Sequence, residues 1–142
     1  MTGPSAHLSW AELACKDGTP YPMEWRQSRA VVLAEAFEAV RLAVGAPIVI
    51  GSAYRTPEHN ARVGGAERSQ HLQGRALDMY PPQGWSMHRF YSIVRLVALR
   101  ADMPIHGLGR YPTFVHIDIR DRPDGRVTVW SGRRAWAEGK AA

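Results

Sequence analysis

The chain is poor in cysteine and lysine and has no long apolar run. Its 142 residues include one cysteine, Cys15, which excludes a disulfide within the chain and is interpreted as a small buried side chain. A membrane span needs about 18 or more consecutive apolar residues, and the sequence has no such run. The first residues, MTGPSAHLSWAEL, have neither the basic nor the hydrophobic region of a secretory signal peptide. We therefore expect no disulfide-stapled fold and no integral membrane segment.

Acidic residues are outnumbered by basic ones, 13 to 18, which gives a formal net charge of +5. Such a charge favours an anionic partner, which is nucleic acid, a membrane surface or an acidic cell-wall polymer. Nearly all the basic residues are arginines, spread from Arg26 to Arg134 with no run longer than the pair at the end. A nucleic-acid-binding protein usually concentrates such residues on one face or one helix. We therefore expect no nucleic-acid partner and interpret the arginine content as mainly compositional.

Length and composition predict one domain, residues 1–142, because a chain of this size buries roughly two-thirds of its unfolded surface around a single core. Ser9 and Glu12 have the spacing of a capping box, which predicts a short helix that ends before Asp17. Apolar residues from Val32 to Val44 recur at helical spacing and predict a first long helix, with Gly45 as its stop.

Two further helices are predicted by capping residues. Thr56 followed by Pro57 predicts a short helix that runs toward the glycine pair at 64 and 65. Ser86 is placed to cap a second long helix, whose apolar residues from Phe90 to Val97 point inward.

Strand signals complete the predicted fold. PIVIGSAY, residues 47–54, is short and β-branched, which predicts a buried strand. FVHIDIR, residues 114–120, alternates strictly between apolar and polar side chains. The turn sequence Asp124-Gly125 then predicts a hairpin between this strand and RVTVWS. The predicted class is α+β, a small and mainly antiparallel sheet with helices packed on one side.

One segment, SQHLQGRALDMY at residues 69–80, carries a histidine and an aspartate seven positions apart. Donors to one tetrahedral zinc lie roughly 2 Å from the ion and so within about 3.5 Å of each other. Seven residues of straight helix would separate His71 and Asp78 by about 10 Å, and a straight strand by more than about 20 Å. The chain must therefore fold back between them, and Gly74 suits that turn because it tolerates positive φ. His116, on a polar strand face, is a suitable third donor.

The same segment matches S-x-H-x-x-G-x-A-x-D, and in this it resembles the zinc D-alanyl-D-alanine carboxypeptidase and L-alanyl-D-glutamate endopeptidase family of peptidoglycan peptidases. SAYRTPEHN resembles the S-x-Y-R block of that family, and GLGRYPTFVHIDIR its C-terminal metal strand in the H-x-D form of one subfamily. LSWAELACKDGT and VRLAVGAPIVI are also similar to that subfamily. The resemblance covers about residues 8–132, which we take as the core of the domain.

The resemblance implies the fold of the hedgehog signalling domain and a zinc ion held by His71, Asp78 and His116, with a fourth position open. Zinc would polarise the scissile carbonyl and activate water. Arg55 matches the family arginine that hydrogen-bonds the developing oxyanion. Ser69 matches a substrate-contacting serine, with a plain turn hydroxyl as the alternative, and Tyr54 of the S-x-Y-R block is also placed among the substrate-binding residues.

One family feature is missing. Many relatives have a carboxylate three residues before the last histidine ligand as general base, and this chain has Thr113 there. Asp118, on the same strand face as His116, is a candidate base; alternatively it hydrogen-bonds a ligand imidazole or pairs with Arg120. His106 and Tyr111, in the preceding segment, are further candidates for proton transfer, oxyanion stabilisation or substrate binding.

Two functions follow as expectations. The first is a zinc peptidase acting on peptidoglycan stem peptides or cross-links, of carboxypeptidase or endopeptidase type; the second is a non-catalytic binding or structural module on the same metal-binding fold. The lack of an export signal is explained by a phage or prophage lysin made in the cytoplasm, by a virion component, by an unseen export route or by a fragment without its leader. A monomer is expected unless the chain is part of a virion or larger assembly.

Overall fold

The computed structural model describes residues 2–134, and within them it has four α-helices, two short 3-10 helices and five strands. The α+β class is therefore confirmed. The 3-10 helices are Met23–Trp25 and Gln70–Gln73. The α-helices are α1 Trp10–Leu13, α2 Arg29–Val44, α3 Pro57–Arg62 and α4 Met87–Ala98, and the strands are β1 Val49–Ser52, β2 Ala76–Tyr80, β3 Gly107–Arg110, β4 Val115–Asp118 and β5 Thr128–Ser131.

The predicted helix ends are confirmed. The Ser9 hydroxyl accepts the Glu12 N–H at 3.0 Å, and the Glu12 carboxylate accepts the Ser9 N–H at 2.9 Å, so the capping box is complete. Gly45 ends α2 in the left-handed conformation, with φ of 72°. Thr56 and Ser86 cap α3 and α4 through their hydroxyls. Among residues 2–134, no helix is long and apolar enough to cross a membrane.

The five strands form one sheet in the order β1-β2-β4-β3-β5, antiparallel except where β5 joins β3. One face of the sheet packs against the helices. Its apolar side chains meet Phe37 of α2 and Phe90 of α4 in the buried core. The opposite face carries the polar side chains of Asp78, His116 and Asp118, which is where a site can form. The apolar side chains on the face that packs against the helices are those of Leu77, Met79, Leu108, Val115 and Ile117.

The hairpin predicted between β4 and β5 is wrong. Gly125 does turn the chain, with φ of 70° and its N–H donating to the Arg122 carbonyl at 2.8 Å. However, β4 is paired with β2 on one edge and with β3 on the other, so no edge remains for β5. The chain instead passes to the far edge of β3, where β5 pairs in parallel. The hairpin that does form connects β3 to β4, closed by the Tyr111 N–H on the Phe114 carbonyl at 3.1 Å.

Candidate active site

Strand pairing brings Asp78 and His116 side by side. In the antiparallel pairing of β2 with β4 these two residues face each other, and residues directly opposite in a sheet have side chains close enough to interact. The row continues across the sheet on the same face. Its members, from one edge to the other, are Ser52, Asp78, His116, Gly109 and Trp130.

A tight turn places His71 next to Asp78 and His116. The Ser69 hydroxyl accepts the His71 N–H at 3.2 Å and starts the short helix Gln70–Gln73. Gly74 ends that helix in the left-handed conformation, with φ of 65°, so the chain folds back as predicted and enters β2. The His71 carbonyl accepts the Arg55 N–H at 3.0 Å, which fixes the turn to the end of β1.

The three side chains converge on one carboxylate oxygen. Asp78 Oδ1 lies 3.2 Å from His71 Nε2 and 2.9 Å from His116 Nδ1. His71 Nδ1 lies 2.6 Å from the Ala53 carbonyl, which only accepts, so Nδ1 is the protonated nitrogen. Nε2 therefore carries a lone pair, and this buried atom makes no hydrogen bond within the described residues. Two imidazole nitrogens and one carboxylate oxygen are a donor set that suits zinc.

The pKa values of the three side chains are shifted by burial and by their contacts with one another. Burial lowers the pKa of His71. Burial opposes ionisation of Asp78, but the neighbouring His71 and His116 outweigh it and hold the Asp78 pKa below its usual range. Burial also opposes charge on His116, yet its hydrogen bonds to Asp118 and Asp78 raise its pKa to about 9. Without a cation, His116 is thus the proton carrier, and it must release that proton to donate a lone pair.

Arg55 lies beside this cluster and is almost fully buried, with 3% of its surface exposed. Its guanidinium donates to Ser52 Oγ at 3.1 Å and to Asn60 Oδ1 at 3.1 Å. A third contact, at 3.4 Å, reaches Asp78 Oδ2, the oxygen that faces away from the histidines. Arg55 therefore fixes the orientation of the Asp78 carboxylate while its own orientation is fixed by β1 and α3.

Asp118 lies behind His116. Its Oδ2 is 2.8 Å from His116 Nε2, while the guanidinium of Arg120 donates to both carboxylate oxygens at 2.8 and 2.7 Å. The residue is completely buried, and although burial opposes its ionisation, Arg120 and His116 hold its pKa well below the usual range. The structure thus shows both contacts expected of a supporting carboxylate, one to the ligand imidazole and one to Arg120.

The match to a known family agrees with this geometry. The family model Peptidase M15 matches residues 6–118, which include the histidine and aspartate motif, Arg55 and His116. The chain belongs to the M15 peptidase family. No curated protein matches the chain. M15 peptidases are zinc-dependent metallopeptidases, and the cluster of His71, Asp78 and His116 fits the metal that the family requires.

In this M15 chain the cluster opens into a cavity of about 750 Å³ with a strongly basic wall. Of the residues lining it within the described chain, the only carboxylate is Asp78, which belongs to the cluster. Sequence reasoning missed the convergence of arginines, because they are distant in sequence and only the fold brings them together. The lining arginines are Arg55, Arg68, Arg120, Arg133 and Arg134, and the lining aromatic residues are Tyr111, Phe114 and Trp130.

The predicted site residues divide into two groups. Ser69 and Tyr111 line the cavity, and the Tyr111 hydroxyl accepts the Trp130 indole N–H at 2.9 Å. Tyr54 does not line it, because its ring packs edge-on against Tyr21 and Trp25. His106 lies outside as well, where it borders a smaller cavity and its Nδ1 is 3.3 Å from a backbone carbonyl.

Proposed function

We propose that this protein is a zinc-dependent peptidase that hydrolyses peptide bonds in peptidoglycan stem peptides or their cross-links. The observation that supports it best is the meeting of His71, Asp78 and His116 at the base of a cavity lined by five arginines. Family membership accounts for the peptidase chemistry. The arginines account for the substrate class, because stem peptides carry several free carboxylates and guanidinium groups bind carboxylates through paired hydrogen bonds.

The metal would be held by Nε2 of His71, Oδ1 of Asp78 and Nδ1 of His116. When bound, zinc supplies a Lewis acid that polarises a carbonyl and favours deprotonation of water. The protein fixes each donor in advance. The Ala53 carbonyl sets the His71 tautomer, Arg55 holds the far oxygen of Asp78, and Asp118 holds the far nitrogen of His116.

Arg55 is the residue assigned to the oxyanion. It lines the cavity next to Asp78, and its guanidinium is held by contacts on three sides. A cation fixed before the reaction stabilises charge that develops only in the transition state, because it need not reorganise as the charge appears. Tyr111 is assigned to substrate binding. Its oxygen accepts from Trp130, and its O–H would donate to a polar group of a bound peptide.

Asp118 is assigned to positioning rather than to proton abstraction. Its two oxygens are engaged by His116 and by Arg120, and no part of the residue is exposed to the cavity. A general base must come within hydrogen-bond reach of the proton that it removes. Asp118 instead makes the contact that a carboxylate makes behind a ligand histidine, where it fixes the ring and raises its basicity.

The second candidate function is a binding module that recognises an acidic peptide without cleaving it. The observation in its favour is that, among described lining residues, Asp78 is the sole carboxylate, so no acid outside the cluster faces the cavity as a base. Thr113 stands where many relatives have that acid, and threonine does not accept a proton near neutral pH.

Mass spectrometry of muropeptides distinguishes the two functions. Purified peptidoglycan digested with the protein should yield new peptide fragments, and a chelator should abolish them. His71→Ala removes one donor and should abolish both the products and one equivalent of zinc, whereas His88→Ala, an exposed residue on α4, should change neither. Binding of muropeptides without products in the zinc-loaded protein would establish the binding module instead. The masses of the products identify the bond that is cut.

The location of action follows from the same substrate. We propose that the chain acts on the cell wall, where a phage or prophage lysin or a virion component would meet peptidoglycan. Detection of the protein in purified virions by peptide mass spectrometry tests the second of these routes.

A further inference from the structure

A second group of metal-donor side chains lies near the N-terminal cap of α3. Cys15 and Asp17 belong to the loop after α1, and His59 belongs to α3. One donor atom of each, a sulfur, a carboxylate oxygen and an imidazole nitrogen, lies within 4.8 Å of the other two. Donors around a tetrahedral zinc are about 3.3–3.8 Å apart, given bond lengths of 2.0–2.3 Å. The donor atoms would therefore have to approach one another by at most about 1.5 Å to hold an ion.

The backbone holds these donors together. The Tyr54 N–H donates to the Leu13 carbonyl at 3.1 Å, so the loop after α1 runs beside the segment that leads into α3. Thr56 links the two sides, because its hydroxyl donates to Asp17 Oδ2 at 2.8 Å and accepts the His59 N–H at 3.2 Å. The loop itself is closed by the Cys15 N–H on the Thr19 carbonyl at 2.8 Å. The donors are thus held by fixed backbone rather than by mobile tails.

The sulfur of Cys15 is buried, with 3% of the residue exposed, and this burial raises the pKa of the thiol. Hydrogen bonds from the backbone N–H groups of Asp17 and Thr56 to the sulfur act in the opposite direction and offset part of that cost. Such N–H groups stabilise negative charge on sulfur, as hydrogen bonds to any ionised group do. His59 is also buried, whereas Asp17 is exposed and leaves a route from solvent. The site therefore has two buried donors, Cys15 and His59, and one donor at the surface, Asp17. The N–H groups at the sulfur offset part of the cost of a buried thiolate.

We propose that Cys15, Asp17 and His59 form a second divalent-cation site, separate from the cluster of the M15 motif. The donor set of one thiolate, one imidazole and one carboxylate selects zinc or a similar thiophilic ion and disfavours calcium and magnesium, which bind oxygen ligands. Binding releases the thiol proton to solvent as the sulfur takes the metal. The ion joins the loop after α1 to α3 and to the segment that carries Arg55, so its effect is on stability and on metal content.

Cobalt titration tests the proposal directly, because the chain has a single cysteine. The His71, Asp78 and His116 cluster contains no sulfur, so a thiolate-to-cobalt charge-transfer band in the near ultraviolet can come only from Cys15. The metal-free protein should bind two equivalents of Co²⁺, one of which produces this band. Cys15→Ser should lose the band and one equivalent. Absence of the band in the wild-type protein at saturating Co²⁺ overturns the proposal without any variant.

Two further variants test the other donors. Asp17→Asn changes an exposed residue and should lower the Co²⁺ affinity of the band-forming site by roughly tenfold or more. Loss of a group that only orients a metal ligand already lowers metal affinity by about that factor. His59→Ala should do the same. An unchanged Co²⁺ affinity in both variants would also overturn the three-donor site. His71→Ala should keep the band and lose the other equivalent, so failure of this proposal is distinguishable from failure of the peptidase function.

Discussion

The Asp118 carboxylate lies 2.8 Å from His116 Nε2, on the edge of the imidazole opposite to the nitrogen that faces Asp78. His116 is therefore held between two carboxylates, one from β2 and one from its own strand. Arg120 in turn holds Asp118 through both oxygens. The chain thus places an arginine, a carboxylate and an imidazole in series behind the candidate metal position.

Asp118→Asn separates positioning from proton abstraction. An amide oxygen can still accept from His116, but it lacks the charge that raises the basicity of the ring, so we expect zinc affinity to fall by about 10- to 100-fold. The hydrolysis rate at saturating zinc should fall much less, and the acidic limb of its pH profile should stay in place. A loss of hundredfold or more at saturating zinc, with that limb removed, would instead make Asp118 the base.

Arg55→Lys should lower the hydrolysis rate by about ten- to a thousandfold while zinc content is unchanged, because a single ammonium replaces the three-sided fork of the guanidinium. Turnover of muropeptides and zinc per chain are the two measurements. The control is Arg62→Lys, an exposed arginine of α3 outside the cavity. If Arg55→Lys loses zinc along with activity, its main role is to hold Asp78; an unchanged rate would remove it from the mechanism.

Gly107→Ala tests the space that Asp118 requires. Gly107 faces Asp118 across β3 and β4, and a methyl group there would overlap the carboxylate. We expect this substitution to lower the free energy of unfolding by about 1–3 kcal/mol, as overpacking does. In an Asp118→Ala background the additional cost should be smaller, with a coupling of at least about 0.5 kcal/mol, measured by denaturant unfolding. Gly109→Ala, which meets the Trp130 ring instead, should show no such coupling to Asp118.

Glu38→Gln should lower stability at pH values above the ordinary pKa of a glutamate, and this effect should disappear in acid. Glu38 accepts the Ser5 hydroxyl at 2.6 Å and the His7 N–H at 2.8 Å, which fixes the N-terminal segment to α2. Burial opposes its ionisation, but these hydrogen bonds lower its pKa overall from the usual 4.5. A lowered folded pKa gives stability that is complete above the unfolded value and is lost as pH falls through the folded one.

The measurement is urea unfolding between about pH 3 and 7. We expect a difference of about 1 kcal/mol at pH 7 between wild type and Glu38→Gln, which is the usual contribution of such hydrogen bonds. The difference should disappear below the folded pKa. Glu35→Gln, an exposed position on the same helix, should be close to wild type throughout. A pH-independent difference would show that packing rather than charge is responsible.

Local signals explain what the sequence predicted correctly. The capping box at Ser9, the glycine that ends α2 and the hydroxyl of Ser86 act within a few residues, so their patterns are readable without the fold. The bend at Gly74 is equally local, and a glycine is required there because φ is positive. The third member of the cluster, His116, was found through the alternation of its strand and the family motif.

Features that depend on distant parts of the chain were not predictable in the same way. Asp124-Gly125 specifies a turn but not the strand on which the next segment pairs, and that choice depended on which sheet edges were already occupied. The basic wall of the cavity joins Arg68 to Arg134, and the second donor group joins Cys15 to His59. Each pair is brought together by tertiary structure alone, so composition could show only that the residues exist.

The edge strand β5 lines the cavity but carries none of the candidate zinc ligands. It contributes Thr128 and Trp130 to the cavity wall, while the candidate zinc ligands Asp78 and His116 sit on interior strands that neighbours hold on both sides. A border strand tolerates replacement more readily than a central one. Substitutions in β5 can therefore change the part of the cavity that contacts the substrate while the candidate zinc ligands on β2 and β4 keep their positions.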